Sequence, residues 1–193
     1  MIRMARAEDI PAILDIYAPY VLTTTATFEY TVPTYEDFSA RFADITKQFP
    51  WLVWEEGGKV LGYAYASAPF TRAAYQWCAE PSIYLSPEIQ GKGIGKQLYT
   101  VLEELLRRQG YRVLYALITQ ENHASIAFHE KLGYTHTALL KDCGWKLDRW
   151  LSVVWMEKRQ NFVDSPSRAP IPIWDIVNSS QKLEDILAIL TLS

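Results

Sequence analysis

Cysteine is almost missing from this chain: Cys78 and Cys143 are the only two in 193 residues. Two thiols so far apart, without metal-ligand spacing, supply neither a disulfide framework nor a zinc site, and read as isolated groups in a reducing compartment. Histidine is nearly as scarce, and His123 and His136 have no partner at metal spacing. No apolar run approaches the roughly 20 residues of a membrane span, and Met1-Ile2-Arg3-Met4 leads into charged sequence instead of the apolar centre of a signal peptide. Positive charge is short as well. The formal net charge is -3 and the pI about 5.6, which sets aside nucleic acid and anionic membrane as main partners. A cytoplasmic protein without a metal is the expectation.

What is abundant is apolar surface, 49% of the residues, enough at this length for one well-buried α/β domain and too little chain for two. Ile2 to Met4 reads as a strand, and Ile10, Ile13, Leu14 and Tyr17 share one face of a following helix. Thr34-Tyr35-Glu36-Asp37 resembles a capping box that opens a second helix through Phe38, Phe42 and Ile45. Bulky β-formers on both sides of Gly57-Gly58 predict a hairpin from Trp51 to Ala66. Trp77 to Leu85 predicts a fourth strand, with an edge or bulge where Pro81 cannot donate to a ladder. Val113 to Ile118 predicts a buried strand, Asn122 to Leu132 a helix stopped by Gly133, and Tyr134 to Leu140 and Leu151 to Met156 two late strands. The domain is expected to span 1-160. Residues 161-193 then form a Ser/Pro/Asp-rich linker and a short amphipathic helix carrying Leu183, Ile186, Leu187 and Leu190.

The most informative stretch is Gln90-Gly91-Lys92-Gly93-Ile94-Gly95, which joins a strand to a helix whose Leu98, Val101, Leu102, Leu105 and Leu106 follow helical spacing up to Gly110. Glycines let the backbone approach an anion closely, and a helix start supplies unpaired N–H groups and partial positive charge. Lys92 and Lys96 add charge. The loop therefore reads as a pyrophosphate cradle. Leu98 stands where a dinucleotide fingerprint needs its third glycine, and no P-loop occurs.

Gln90 to Gly95 matches Q/R-x-x-G-x-G/A and resembles the acyl-CoA loop of the GNAT N-acetyltransferase superfamily. Asn122 to Tyr134, ending Glu130-Lys131-Leu132-Gly133-Tyr134, is similar to that superfamily's late helix. Arg72 to Glu80, Thr27-Phe28-Glu29, and Gly144-Trp145-Lys146 with Trp150 resemble the phosphinothricin N-acetyltransferase-like branch, over roughly Ile2 to Lys158. The resemblance implies an α/β (α+β) GNAT fold, a mixed and mostly antiparallel central sheet with a bulged, splayed fourth and fifth strand, flanked by helices. It also implies acetyl-CoA as co-substrate, held by Gln90 to Lys96, Tyr84, Leu85 and Asn122, and a homodimer. On the same grounds Glu80 falls on the catalytic glutamate, His129 on the position of the acid, Arg72 and Tyr75 on substrate positions, and Phe28 on an aromatic pocket wall. Phe70 stands where some members have a substrate-binding lysine, Pro81 where serine is usual, and Leu147 and Ser152 replace a His and an Asp.

These residues suit acetyl transfer. An alkylammonium must lose its proton before attack, and a carboxylate of ordinary pKa about 4.3 does this only if burial raises it or water relays the proton. Glu80 beside Pro81 is the candidate base, main-chain N–H groups near Tyr84 and Leu85 could hold the oxyanion, and His129 could protonate the thiolate. The leading expectation is acetylation of the α-amine of a phosphinothricin-, methionine sulfoximine- or methionine sulfone-like acceptor. Alternatives are another amine (an antibiotic, polyamine or protein N-terminus), or a non-catalytic acyl-CoA-binding module.

Overall fold

The computed structural model describes residues 1–160 and 168–178, together with Ile186 and Ala188. Its elements run β1 (Ile2–Met4), α1 (Ile10–Thr23), α2 (Tyr35–Ile45), β2 (Trp51–Glu56), β3 (Lys59–Ser67), β4 (Cys78–Leu85), α3 (Ile94–Gln109), β5 (Val113–Thr119), α4 (His123–Lys131), β6 (Thr135–Lys146), β7 (Arg149–Arg159) and α5 (Ile173–Val177). The seven strands form one sheet in the order β1-β2-β3-β4-β5-β7-β6. Every neighbouring pair is antiparallel except β4 with β5.

Alternation along β2 and β3 divides the core between the two faces of the sheet. Trp51, Val53 and Tyr63 point to one side and pack with Ile10, Ile13, Tyr17, Phe38 and Phe42 of α1 and α2. Leu52, Ala64 and Ala66 point to the other and meet Leu98, Leu102, Leu105 and Leu106 of α3. A one-residue slip would exchange the two sets, so the register is strongly specified. Capping sets α2 as the sequence predicts: the Asp37 amide donates to Thr34 Oγ1 at 3.1 Å.

Pro81 marks the place that matters most. Pairing of β4 with β3 runs without a break from Ser67↔Glu80 to Gly62↔Leu85, so the irregularity expected there lies on the β5 side. Only Cys78↔Val113 and Ala79↔Leu114 join β4 to β5, and the strands part at Glu80.

The tail holds an element that its composition did not announce. The five-residue α5 follows Pro172, with Ile173 fully buried. It straps the end of α3 to the turn before β2: Gln109 Nε2 donates to the carbonyls of Gln48 and Ile171 at 2.6 and 2.8 Å, the Ile173 amide to Gln48 O at 3.1 Å, and Trp174 Nε1 to Thr46 O at 2.8 Å. Of the amphipathic segment Leu183 to Leu190, Ile186 is buried in the α3-side core. The rest, Ala188 apart, lies outside the described residues.

Because Leu102 is fully buried among this cluster, Leu102→Ala is expected to lower unfolding free energy by about 2–5 kcal/mol. Leu22→Ala, at a side chain 57% exposed, should stay within about 0.5 kcal/mol in the same urea titrations.

Candidate functional site

The parted strands open a cavity of about 330 Å³. Glu80 to Leu85 of β4 form one wall, Ala116 to Thr119 of β5 the other, and Asn122, Ser125, Phe128 and His129 of the α4 region the end. A second cavity, of about 300 Å³, is lined by Tyr17, Thr25 to Glu29, Arg41, Tyr65 and Val153. Ala26, Glu80, Ser82, Tyr84, Leu117 and Thr119 line both. Glu80 therefore stands where a ligand in one cavity would meet a ligand in the other.

Burial raises the Glu80 carboxyl above its usual range, and no neighbouring cation offsets it. That is the direction a general base requires, because it brings the proton affinity of the carboxylate closer to that of an amine.

At the Gln90 end of the first cavity lies the glycine loop. Gly91 and Gly93 take φ of 73° and 79°, a left-handed conformation that side chains disfavour. A Cβ at either would meet nothing within 4 Å, so conformation and not packing calls for glycine there. Gly93 caps α3, and the first intrahelical bond runs from the Gln97 amide to Gly93 O at 3.2 Å. The N–H groups ahead of Gln97 have no acceptor within the helix, and Lys92 and Lys96 are exposed beside them. An open loop of N–H donors and lysines, followed by a cavity running between two strands to a carboxylate, fits acetyl-CoA: a pyrophosphate at the loop and the thioester toward Glu80.

Tyr20, which the sequence does not single out, organises the mouth between these parts. Its hydroxyl donates to Leu85 O at 2.7 Å and accepts from the Leu85 amide at 3.3 Å and Gln90 Nε2 at 3.1 Å. Of the two expected oxyanion donors, Leu85 thus has its N–H held by a long bond to a side chain. Asn122 Oδ1 caps α4, accepting from the Ser125 amide at 3.1 Å.

His129 is buried, and both ring nitrogens are engaged. Nδ1 lies 2.8 Å from Ser125 O, which can only accept, so Nδ1 carries the hydrogen. Nε2 of the neutral ring then accepts from the Tyr99 hydroxyl at 2.8 Å. Burial lowers the imidazole's pKa, although the Ser125 bond opposes this, and burial pushes Tyr99 well above its usual value. The neutral ring therefore has no N–H left to offer the cavity, and the proton beside it belongs to Tyr99. Nothing in the sequence separates Tyr99 from the other buried residues on the core face of α3.

Phe28 lines the second cavity, whereas Arg72 and Tyr75 line neither of the two. Both lie exposed on the β3–β4 connection, where the Tyr75 ring packs 4.6 Å from Phe70, itself stacked on Trp155. The second cavity instead holds an ion pair missed at the sequence level, Arg41 Nη1 to Glu29 Oε1 at 2.7 Å. Among the described residues no group of three His, Cys, Asp or Glu side chains could hold a metal ion, and no helix is long and apolar enough to cross a membrane.

Comparison with known proteins agrees with this geometry. The Acetyltransferase (GNAT) domain family matches residues 2–155. The chain is 37% identical over 166 residues to the phosphinothricin N-acetyltransferase of Alcaligenes faecalis, covering 85% of this chain and 84% of that one. To the L-methionine sulfoximine/L-methionine sulfone acetyltransferase of Salmonella typhimurium it is 38% identical over 157 residues, covering 81% and 92%. A crystal structure of a GNAT superfamily phosphinothricin acetyltransferase from Sinorhizobium meliloti, in complex with AcCoA, superposes with a TM-score of 0.81 at 40% identity, over 88% of this chain and 92% of that one. The glycine loop, the parted strands and the carboxylate between two cavities are thus found in a chain that belongs to the GNAT family and is an acetyl-CoA-dependent N-acetyltransferase.

Proposed function

We propose that this enzyme acetylates the α-amine of a small amino-acid-like acceptor of the phosphinothricin, methionine sulfoximine or methionine sulfone type, by direct attack of the amine on the thioester. The observation that carries the reading is Glu80 at the meeting of two cavities, one reaching Gln90 of the glycine loop and the other lined by Phe28. The names of the two similar enzymes support the acceptor class.

Acetyl-CoA supplies the activated acetyl group, with Gln90 to Lys96, Tyr84, Leu85 and Asn122 as its binding residues. Glu80, directly or through water, takes the proton that the acceptor ammonium must shed. The main-chain N–H of Leu85 holds the carbonyl oxygen as charge develops, its long bond to Tyr20 giving way, whereas the N–H of Tyr84, the other expected donor, is turned toward β3 by the unbroken β3–β4 ladder. The proton for the departing thiolate comes from the hydroxyl of Tyr99, which lines the first cavity and regains a proton through water, while neutral His129, with no N–H to give, orients that hydroxyl instead of acting as the acid itself. Arg72 and Tyr75, outside both cavities, are kept as substrate residues on the motif resemblance alone, the guanidinium matching a carboxylate.

We also read residues 1-160 as the catalytic domain, 161-193 as an accessory tail, the cytoplasm as the compartment and a homodimer as the working form. An exposed edge supports the dimer: all of Thr135 to Cys143 on β6 is exposed, and Trp145 and Trp150 beside it are 45% and 61% exposed. A long uncovered edge strand is a template for pairing with another chain.

Three outcomes are expected. Glu80→Gln should lower turnover about 10²- to 10⁴-fold with unchanged acetyl-CoA affinity, and should abolish the acid limb of the pH–rate profile. That limb lies above the ordinary carboxylate range, because activity is lost as pH falls through the raised pKa. The sign for stability is opposite. A raised carboxyl pKa stabilises the fold below its unfolded value and loses that contribution as pH rises through the folded one, so Glu80→Gln should melt no lower than wild type at pH 7. A loss of activity under threefold, with the acid limb intact, removes the base. Gly93→Asp puts bulk and negative charge at the left-handed cap of α3, and acetyl-CoA affinity by calorimetry should fall at least about tenfold; an unchanged value in a folded variant removes the cradle. Light scattering should give a dimeric mass for the full chain and for a chain ending at Gln160, since the described tail packs on its own domain. A monomer at micromolar concentration removes the dimer.

A further inference from the structure

The second cavity has a wall without regular structure. Thr25, Ala26, Thr27, Phe28 and Glu29 are consecutive residues of the α1–α2 connection, and all five line it. Fixing the backbone of such a segment costs about 1–2 kcal/mol per residue, so its shape depends on what fastens it. Two ties come from its own side of the fold: the Tyr17 hydroxyl meets Thr27 Oγ1 at 2.8 Å, and Arg41 pairs with Glu29 at 2.7 Å.

The other ties come from the tip of the β6–β7 hairpin, far away in sequence. Lys146, buried at 3% exposure, donates from Nζ to Thr27 O at 2.6 Å. The Tyr30 hydroxyl donates to Trp145 O at 2.6 Å. Between these two bonds, the Phe28 ring lies against Gly144, and a Cβ there would overlap Cε2, Cζ and Cδ2 of the ring. Gly144 is not among the glycines with left-handed φ. Its backbone would accept any residue, so only the space occupied by Phe28 calls for glycine. The segment Gly144-Trp145-Lys146 stands out in the sequence, and the chemistry proposed above gives it no role.

We propose that Gly144 is a positioning residue for the acceptor: by letting Phe28 seat on the hairpin, with Lys146 and the Trp145 carbonyl closing on either side, it sets the shape of the acceptor cavity and hence which amino-acid side chains enter. This rests on the reading that the second cavity takes the acceptor. Of the segment 25–29 only Ala26 also lines the acetyl-CoA cavity, which has neither Phe28 nor Gly144 in its lining, so a change at the clamp acts chiefly on the acceptor.

The test is a double-mutant cycle on the full chain with methionine sulfone as probe: Gly144→Ala, Phe28→Leu and the pair. Gly144→Ala should raise the acceptor KM about tenfold or more, since misplacement near 1 Å costs up to about 10²-fold, while acetyl-CoA affinity by calorimetry stays within about twofold. In the Phe28→Leu background the same methyl should cost little, because the ring that it displaces is gone. An unchanged acceptor KM, an equal cost in both backgrounds, or a parallel loss of acetyl-CoA affinity overturns the proposal. Hydrogen exchange of the 25–30 backbone gives a readout independent of acceptor identity. If wild type turns over no amino-acid acceptor, the proposed function fails, yet faster exchange in Gly144→Ala still supports the clamp and unchanged exchange still refutes it.

Discussion

Two residue pairs join β4 to β5, and everything the site does depends on their being no more than two. A continuous ladder would have consumed the main-chain donors and acceptors on that side of β4 and closed the space between the strands. Parting the ladder exposes polar backbone in the middle of a sheet, a costly condition unless another molecule or side chain takes up the groups. Tyr20 does so at Leu85, and Tyr99 stands 3.3 Å from Pro81 O. Proline suits the point of divergence, since it has no N–H to leave without a partner.

The same opening explains the electrostatics. Glu80 is the carboxylate shared by both cavities, and the dry strand walls that raise its pKa are the walls that a thioester would occupy. Contrast Glu103, also raised by burial but paired with Lys158 at 2.6 Å, which holds the far end of α3 to β7. Burial without a cation separates a carboxylate suited to accept a proton from one that serves as a fastening.

Much of this was legible in the sequence because it was local. Glycines before an amphipathic run, a two-glycine hairpin and a capping threonine each act over a few residues, and they give the strands, the helices and the cradle. Glu80 and Phe28 were found through motif resemblance, and the structure brings them to a common cavity. What escaped was tertiary. Tyr20 and Tyr99 look like any packing aromatic until their hydroxyls are seen to meet Leu85 and His129, and Arg41 looks like a helix-surface cation until Glu29 closes on it. The unbroken register of β3 with β4 at Pro81 could not be read from the proline alone, because a residue without an N–H leaves open which neighbouring strand lacks the bond. The α5 strap was hidden by composition: Ser and Pro dominate the approach, while the anchor is one isoleucine and the amide of Gln109.

That strap has a temporal side. Its partners Thr46, Gln48 and Gln109 belong to elements made long before it, and all seven strands precede it in the chain. During synthesis the sheet can assemble while the end of α3 and the turn after α2 still face solvent, and α5 covers them once it emerges. A chain released early, anywhere between Arg159 and Ile173, would hold all seven strands and leave uncovered the part of the α3-side core that Ile173 meets. α5 is therefore a late cover, laid over a sheet whose own strand pairing does not include it.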